Sequence, residues 1–416
     1  MKKIRQMLLI SALAVSTAAC APDRESDQSG ATQEAGALPE ELLVWAPDGE
    51  ISAIEDQASR FTDETGINVR VVPFGQADQT EAIVLDGPAG KGPDLFFQPG
   101  VGNLAVQGLV QPMEVAQEIL DTYSNGSLDA LSYEGELYGL PAVVESLALY
   151  YNKELVPEAP ETMEELEQIA ESLTDDANDE FGFLYPVNDF YFSYPFMAGY
   201  GAYILGEEGE DAYDLEDVGL ANEGGVQGAS LIQGWFEKEY MPVGITMDVT
   251  NGLFSDGKVG AIINGPWARY DFEEALGENL GTAPLPQLDN GEYPQTFLGT
   301  KGWMLSAYSE HPEEATELAV YFTNEDSLKE YFESTGEIPA NSAILASEEF
   351  LNNPILNGFA VQLERAKPFP NVAALSAVWQ PMADALTFIT QGDDVKETLE
   401  DGVSTIEQDI EMNYKQ

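Results

Sequence analysis

Residues Leu137 to Leu155 read LYGLPAVVESLALYYNKEL, and Gly139 and Pro141 punctuate the start of this stretch. Every residue from Leu140 to Tyr151 except Glu145 is apolar, small or aromatic. Such a run, bounded by turn residues, predicts a strand that is buried on both faces. A carboxylate there is costly unless it is paired, hydrogen-bonded or facing a polar cleft. Two interpretations are open: a surface residue at a strand break, or a ligand-contacting carboxylate in a crevice where the chain crosses between two halves of the molecule.

The length and composition predict a folded protein of two domains or lobes. A chain of 416 residues exceeds what one hydrophobic core typically organises. Hydrophobic residues make up 44% and aromatic residues 10% of the sequence, which is typical of a globular protein and not of a disordered one.

The charge balance is strongly acidic, with 74 acidic residues against 17 basic ones and a formal net charge of -57. A field of this sign repels phosphate, which excludes nucleic acid and anionic lipid surfaces as partners. It suits a high-salt medium, where screening weakens the self-repulsion of the chain. We therefore expect an acidic surface of the halophilic type.

The chain has one cysteine, Cys20, and one histidine, His311. These counts exclude an intrachain disulfide and zinc sites built from cysteine and histidine. His311 precedes Pro312 and an amphipathic segment, so it is expected to start a helix and not to act as a catalytic base. The acidic segment 174–180 lacks the glycine and the distal glutamate of a calcium loop, which favours a solvated turn. No metal site and no cofactor are expected.

Residues 1–20 predict an export signal. A basic start is followed by an apolar core, Met7 to Val15, that is too short to span a bilayer, and small residues then precede Cys20. The segment resembles a lipoprotein signal peptide, in which the cysteine is lipidated and becomes the mature N-terminus. The alternative is ordinary cleavage near Ala19, with the cysteine incidental. Residues 21–39 are small and polar, which predicts a flexible acidic tether.

The region after the tether predicts an α/β fold. Leu42 to Trp45 form a short apolar strand, apolar residues recur at helical spacing from Ile51 to Phe61, and apolar residues alternate from Ile67 to Val71. This order is the βαβ unit of a parallel sheet. Leu95 to Phe97 predict a third buried strand.

Aromatic residues follow glycine, proline or asparagine turns at widely separated places in the sequence. They are Trp45, Tyr191, Phe192, Tyr194, Trp267, Trp303 and Trp379. Each one alone is more typical of a core than of a ligand platform, and their placement after turns at strand ends is what favours a site. Aromatic faces suit the C–H faces of sugar rings, while carboxylates such as Glu145 and Asp189 accept hydrogen bonds from sugar hydroxyls. Ligands of open α/β sheets bind beyond the carboxyl ends of strands.

Five sequence blocks resemble the solute-binding proteins of ATP-driven sugar importers, in particular the maltose and maltodextrin binders of family 1. Each block is a weak signal alone, but five in the right order and spacing are a specific one. The blocks are GKGPDLFF (Gly90 to Phe97), PAVVESLALYYNKEL (Pro141 to Leu155), INGPW (Ile263 to Trp267), FLGTKGWMLSAYS (Phe297 to Ser309) and NVAALSAVW (Asn371 to Trp379).

The resemblance implies a two-lobed periplasmic-binding-protein fold of the class with three hinge crossings. Each lobe is a sheet flanked by helices, and the lobes close around a linear glucoside. The implied first lobe combines residues 40–145 with 298–345, and the second combines 146–297 with 346–416.

The resemblance also assigns roles to individual residues. Glu145 matches the cleft glutamate of the family. Trp267 and Trp379 match its stacking tryptophans, and Tyr191 matches its stacking tyrosine, with Phe192 beside it.

Four further residues are carried over at looser matches. Asp189 stands where the maltose binders have a glutamate, and Trp303 follows the third crossing segment as a further platform. Asp48 lies near the polar contacts of the first lobe. Gln98 stands where the maltose binders have an aromatic residue, and their neighbouring acidic–basic pair is absent here. We expect that side of the cleft to lose polar contacts to one sugar ring.

The sequence therefore predicts a lipid-anchored receptor on the outer face of the cytoplasmic membrane, or a periplasmic lipoprotein. It is expected to be a monomer that touches the membrane only through its lipid. It captures a maltodextrin-like oligosaccharide, delivers it to permease subunits with their ATPase, and breaks no bonds. Two alternatives are open: the same fold carrying another uncharged sugar, and an exported glycoside hydrolase with a carboxylate pair in the cleft. No basic cluster lies near the cleft motifs, which argues against a phosphorylated cargo.

Overall fold

The structure, a computed structural model, describes residues 38–207 and 213–414. The predicted export signal, Cys20 and nearly all of the predicted tether lie outside the described residues. Among the helices that the structure describes, none combines the length and the apolar character needed to cross a bilayer.

Strands and helices are interspersed along the described chain. The strands are β1 Glu41–Ala46, β2 Asn68–Pro73, β3 Leu95–Pro99, β4 Ser132–Tyr133, β5 Glu136–Leu137, β6 Gly139–Glu145, β7 Ala148–Asn152, β8 Phe181–Leu184, β9 Gly206–Glu207, β10 Tyr213–Asp214, β11 Val259–Asn264, β12 Leu280–Ala283, β13 Phe297–Leu305 and β14 Lys367–Pro368. The α-helices are α1 Ile51–Thr65, α2 Gln76–Asp86, α3 Gly102–Val106, α4 Gln117–Leu120, α5 Asn125–Ala130, α6 Met163–Leu173, α7 Phe190–Gly199, α8 Glu223–Glu237, α9 Met247–Ser255, α10 Arg269–Leu276, α11 Pro312–Phe322, α12 Glu325–Thr335, α13 Ser342–Leu345, α14 Glu348–Leu351, α15 Leu356–Leu363, α16 Trp379–Thr390 and α17 Val395–Asn413.

A six-stranded sheet contains β14, β13, β3, β1 and β2 in that order, and β6 pairs with β13. Strand β1 is parallel to both β2 and β3, which confirms the predicted βαβ unit and its third strand. Helix α1 buries Ile54, Ala58 and Phe61, at the helical spacing seen in the sequence. Strand β13 runs antiparallel to β3 and β6.

A second, four-stranded sheet has the order β12, β7, β11, β8. Its central strand β7 is antiparallel to β11 and β12. The buried ring of Tyr150 on β7 packs edge-on against Phe272 and Phe359, with centroids 5.1 Å and 5.5 Å away. Helix α6 begins with a capping box formed by Thr162 and Glu165.

The chain passes from the first sheet to the second between Glu145 and Ala148. The sequence predicted one continuous buried strand here, and the structure corrects this: β6 ends at Glu145, and β7 begins three residues later in the other sheet. Glu145 therefore lies where the chain crosses between the two sheets, and its contact with a ligand stays a prediction. At the break, the buried hydroxyl of Ser146 donates a hydrogen bond of 2.6 Å to Thr296 Oγ1, which precedes β13. The outgoing and returning segments are therefore bonded to each other.

A third segment, residues 336–341 after α12, lies against the same place. The N–H of Val144 donates to the carbonyl of Ile338 at 2.9 Å, and the N–H of Ala340 donates to the carbonyl of Ala142 at 2.9 Å. The three segments that link the two sheets thus lie side by side. The residue boundaries of the two lobes stay a prediction.

Candidate ligand-binding site

A cavity of about 490 Å³ lies where the ends of β3, β6 and β13 meet helices α7 and α16. Four residues selected from the sequence line it: Gln98, Glu145, Tyr191 and Trp379. A larger groove of about 1240 Å³ lies between Glu161, Glu165 and Arg365 and holds none of the residues selected from the sequence. The cavity at the sheet crossings is therefore the candidate site.

Glu145 is paired and also faces the cavity. Its Oε2 lies 2.9 Å from the ammonium nitrogen of Lys301 on β13, and its side chain is 14% exposed. The same ammonium lies 2.7 Å from Oε1 of Glu337, which is on the third linking segment. One cation therefore faces two carboxylates at the point where the three segments meet.

The electrostatics of this triad follow from burial and charge. Burial alone lowers the pKa of Lys301, but the carboxylates of Glu145 and Glu337 raise it by more, so its net shift is upward and it stays protonated. Burial raises the pKa of Glu337; the cation of Lys301 opposes this shift, and the negative charge of Glu145 adds to it. Two acids share one base, so the fully ionised triad carries one uncompensated negative charge.

An aromatic wall forms one side of the cavity. The ring of Tyr191 is nearly parallel to those of Phe297 and Phe369, with centroids 6.0 Å away in both cases. Phe297 does not line the cavity itself; it stacks on Phe369 at 4.1 Å and supports that cavity-lining ring. Trp379, the first residue of α16, meets Phe369 edge-on at 5.9 Å. Stacked and edge-on rings of this kind form a rigid apolar surface.

Asp189 holds the start of the helix that carries Tyr191. It is the N-cap of α7, and its Oδ1 accepts a hydrogen bond of 3.1 Å from the N–H of Tyr191. Desolvation raises the pKa of Asp189 by more than this hydrogen bond lowers it, so the net shift of the pKa is upward. The sequence placed Tyr191, Phe192 and Tyr194 on a loop at a strand end; the structure corrects this, because all three lie on α7. Asp189 itself is not among the residues that line the cavity.

Two hydroxyls at the cavity are buried without a partner. Tyr191 Oη and Thr300 Oγ1 have no hydrogen-bond partner among the described residues, although both residues line the cavity. Burial, together with the negative charges of Glu145, Asp189 and Glu337, raises the pKa of Tyr191 well above its usual value, so it stays a neutral O–H group. Leaving a buried hydroxyl unpaired costs roughly 1–3 kcal/mol. Both residues therefore bring unused hydrogen-bonding capacity to the cavity wall, which a ligand could use only after a local rearrangement exposes the hydroxyls.

Trp267 lies behind this wall, in the 3-10 turn Pro266–Ala268 that follows β11. Its half-buried ring is 6.5 Å from that of Tyr191, and the ammonium of Lys301 lies 5.8 Å from its centroid. It does not line the cavity in this arrangement. The predicted stacking tryptophan is thus next to the cavity wall and in contact with the charged triad.

Two predicted platforms belong to the core instead. Phe192 is 3% exposed, because successive residues of a helix point about 100° apart and Tyr191 takes the cavity side. Trp303 is 1% exposed, with Phe97 at 4.9 Å and Phe322 at 5.0 Å. It lies two residues beyond Lys301, roughly 7 Å further into the sheet, where α11 covers the strand. Neither ring has a face open to a ligand in this structure.

Asp48 is exposed in a short turn after β1 and does not line the cavity. Gln98 does line it and is 7% exposed. Its Nε2 donates a hydrogen bond of 2.6 Å to the carbonyl of Gln76, so its side-chain amide is already held by the protein.

Residues 56–358 match the sequence profile of a family described as bacterial extracellular solute-binding protein. The chain belongs to this family. It is 33% identical to a galactooligosaccharide-binding protein of Bacillus subtilis, over 99% of this chain and 98% of the relative. It is 32% identical to the maltodextrin-binding protein MdxE of the same organism, over 100% of this chain and 99% of the relative.

The fold of this solute-binding protein matches a solved structure of the same type. The crystal structure of a cyclo/maltodextrin-binding protein complexed with maltotetraose superposes with a TM-score of 0.83 at 39% identity, over 92% of this chain and 100% of that one. The predicted α/β, two-lobed solute-binding fold is confirmed. The relatives are named as binding proteins and not as enzymes.

Asn371 is a polar contact of this solute-binding protein that the sequence reading did not single out, although it opens a quoted block. Its Nδ2 donates hydrogen bonds to the carbonyls of Asp129 at 3.0 Å and Ser132 at 2.5 Å, and its Oδ1 accepts one from the N–H of Gly102. All three partners lie between β3 and β5, in the sequence region of the first sheet. The segment before α16 is thus fastened across the mouth of the cavity.

Lys301 and Phe369 were also missed, but each carried a signal. Lys301 is a lysine in an otherwise apolar strand of a chain with 17 basic residues, so the argument applied to Glu145 would have found it. Phe369 stands between Pro368 and Pro370, where an aromatic ring is presented by a rigid turn. No group of His, Cys, Asp or Glu that could hold a metal ion occurs among the residues this structure describes.

Proposed function

We propose that this chain is the substrate-binding component of an ATP-driven carbohydrate importer, and that it captures maltodextrin-type oligosaccharides in the cavity at the sheet crossings. One observation carries the proposal. The cavity combines a wall of parallel aromatic rings with the carboxylate of Glu145 and the unpaired hydroxyls of Tyr191 and Thr300. Sugars offer apolar C–H faces and a ring of hydroxyl groups, so they complement both parts.

Residue roles follow from position. Tyr191 and Trp379 stack on sugar rings, Glu145 accepts hydrogen bonds from sugar hydroxyls, and Phe369 extends the aromatic wall. Trp267 joins the contact surface when a ligand separates it from Tyr191. Phe192 and Trp303 are left out of this set because their rings are covered by protein.

The charge of the site favours a neutral cargo. Among the residues that the structure describes, no lysine or arginine lines the cavity, and the nearby ammonium of Lys301 is already paired with two carboxylates. A phosphorylated or acidic sugar would meet Glu145 without a free cation to pair with. This argues for an uncharged oligosaccharide.

A second cargo has specific support. The galactooligosaccharide-binding relative and the maltodextrin-binding relative match this chain almost equally, at 33% and 32% identity. Both names describe neutral oligosaccharides. A cavity with an aromatic wall suits either class, because stacking depends on the ring faces and not on one particular linkage.

The transport role requires closure and delivery, not chemistry. The three adjoining segments between the sheets act as a hinge, and a ligand that touches both sides favours the closed arrangement. Lipidation of Cys20 holds the protein at the outer face of the cytoplasmic membrane, beside the permease subunits and their ATPase. It acts there as a monomer and breaks no glycosidic bond.

Calorimetric titration of residues 21–416 tests the proposal. The panel is maltose, maltotriose, longer maltodextrins, a cyclodextrin, a galactooligosaccharide, sucrose and trehalose, each followed by chromatography of the sugar. Tight binding of maltotriose or longer maltodextrins with the sugar intact is the expected result. Tighter binding of the galactooligosaccharide would change the proposed sugar but keep the transport function. If no sugar of the panel binds, the carbohydrate proposal is rejected, and released glucose would indicate a hydrolase.

A further inference from the structure

The ammonium of Lys301 contacts three different parts of the chain. It lies 2.9 Å from Oε2 of Glu145, at the end of β6 in the first sheet, and 2.7 Å from Oε1 of Glu337, on the third linking segment. It also lies 5.8 Å from the ring centroid of Trp267, in the turn after β11 of the second sheet. Lys301 lies on β13, in the segment that returns to the first sheet. Its side chain therefore contacts the outgoing segment at Glu145, the third segment at Glu337 and the second sheet at Trp267.

Lys301 itself does not line the cavity. It is 8% exposed, and its ammonium is paired with Glu145 and Glu337. Lys301 therefore acts on the geometry of the cavity through the residues that it holds. Two of these, Glu145 and Trp267, belong to the proposed sugar site.

We propose that Lys301 is the positioning residue of the carbohydrate site, fixing the carboxylate of Glu145 and the ring of Trp267 and fastening both to Glu337 on the hinge. This inference rests on the proposed function. The ion pair orients the carboxylate, because the charge-assisted contact to one oxygen leaves the other for a sugar hydroxyl. The cation over the face of Trp267 sets the position of that ring.

The charges of the triad make this role specific to a cation. Without the ammonium, two buried carboxylates would face each other, and one of them would have to take up a proton or move toward solvent. Glu145 is the one closer to solvent, at 14% exposure against 5% for the side chain of Glu337. Loss of Lys301 should therefore displace Glu145 from its position at the cavity.

A double-mutant cycle separates positioning from a general structural role. Maltotriose affinity is measured by calorimetry for the wild type, Lys301→Met, Glu145→Gln and the double variant, in the full mature chain. Lys238→Met is the matched control: it removes the same charge and breaks a 2.7 Å ion pair to Glu167 that lies outside the cavity. We expect each single substitution at the site to weaken binding by about tenfold or more, and the double variant to be within about threefold of the weaker single variant. We expect Lys238→Met to bind like the wild type.

If the fold-losses of affinity in the two single variants multiply in the double variant, the inference is overturned, because Lys301 then acts independently of Glu145. If Lys301→Met gives no cooperative unfolding transition, the cycle is run with Lys301→Arg, which keeps the charge. The larger guanidinium shifts Glu145, so its effect on affinity should disappear when residue 145 is Gln. An effect of unchanged size in that background would reject positioning through Glu145.

A readout without ligand keeps this inference distinguishable from the proposed function. The emission of Trp267 is obtained as the difference between each protein and its Trp267→Phe variant. A cation near the ring shifts this emission, so Lys301→Met should change it and Lys238→Met should not. If the wild type binds no sugar but the shift is seen, the proposed function fails and the contact that Lys301 makes to Trp267 stands. If the wild type binds sugar but the shift is absent and the cycle is multiplicative, only the positioning role fails.

Discussion

The side-chain oxygen of Asn371 accepts a hydrogen bond of 3.0 Å from the backbone N–H of Gly102, across 269 residues of sequence. The two residues approach so closely that a Cβ atom on Gly102 would lie 2.8 Å from Asn371 Oδ1 and 3.3 Å from its backbone carbonyl carbon and oxygen. Only glycine leaves room for this contact. It fastens the segment leading to α16 onto the side of the cavity formed by β3 and α3.

We expect Gly102→Ala to weaken oligosaccharide binding by roughly 1–2 kcal/mol, because a ligand-bound, closed arrangement would lose the contact. Calorimetry with the tightest-binding sugar measures the loss. Gly234→Ala is the control, since no atom lies within 4 Å of its added Cβ and alanine is the better helix former. Equal affinity of Gly102→Ala and wild type, with both folded, would show that closure does not use this contact.

The aromatic wall makes a second prediction. Trp379→Ala removes a cavity-lining ring that packs edge-on against Phe369, and should cost roughly 2 kcal/mol or more of binding free energy, as loss of an interface anchor does. Trp267→Ala should also weaken binding. Phe388→Ala removes a ring that is 49% exposed on the same helix as Trp379 and outside the cavity, and should leave affinity unchanged. If Trp379→Ala and Trp267→Ala bind the sugar as tightly as Phe388→Ala does, stacking on the tryptophans is rejected.

The sequence singled out Glu145 because the cost of an unpaired carboxylate in an apolar run is a local property. That argument left two interpretations open, a surface strand break and a crossing between two halves of the molecule. The sequence also predicted the βαβ start of the first sheet, since periodicity reports strands and helices directly. It could not predict which face of a strand or helix meets the cavity. Trp303 and Phe192 therefore read as platforms, although α11 covers one and the helix turns the other into the core.

Contacts between distant segments were the other gap. Nothing near Glu145 in the sequence indicates that Lys301 and Glu337 will share its charge, because three segments of different origin converge there only in the fold. The bond between Gly102 and Asn371 is of the same kind. Such pairs depend on sheet order and on the helices packed between the sheets, which local pattern does not encode.

Glu337 predicts a pH dependence of stability. Its pKa is raised in the folded protein by burial. Between the ordinary value of 4.5 and this higher pKa, the folded state holds a proton that the unfolded state has lost. By linkage, the free energy of unfolding falls as the pH rises through that window. Glu337→Gln lacks this loss and leaves Lys301 paired with Glu145. Its stability relative to wild type should therefore rise with pH, as measured by urea unfolding between acidic and neutral pH. Glu411→Gln, exposed on α17, is the control; a flat difference for Glu337→Gln would contradict the prediction.

The acidic surface predicts stabilisation by salt. A net charge of -57 repels itself in the compact state. Raising KCl from about 0.1 M to about 1 M shortens the Debye length from ~10 Å to ~3 Å, so the melting temperature should rise steeply at first and then level off. Sucrose does not screen charge, and its stabilisation should grow steadily instead. Equal melting temperatures at low and high KCl would contradict the interpretation of the surface as halophilic.

The lipoprotein-like signal before Cys20 predicts attachment to a membrane through a lipid on that residue. The acidic net charge repels an anionic lipid surface, so the folded part of the chain should not hold the protein there by charge. Cys20→Ser should move the protein from the detergent-soluble membrane fraction to the soluble fraction of the exported material. Ala21→Ser, which keeps the cysteine and adds a serine beside it, should remain in the membrane fraction. Membrane association of Cys20→Ser that still needs detergent for release would reject the lipid anchor and require another membrane partner.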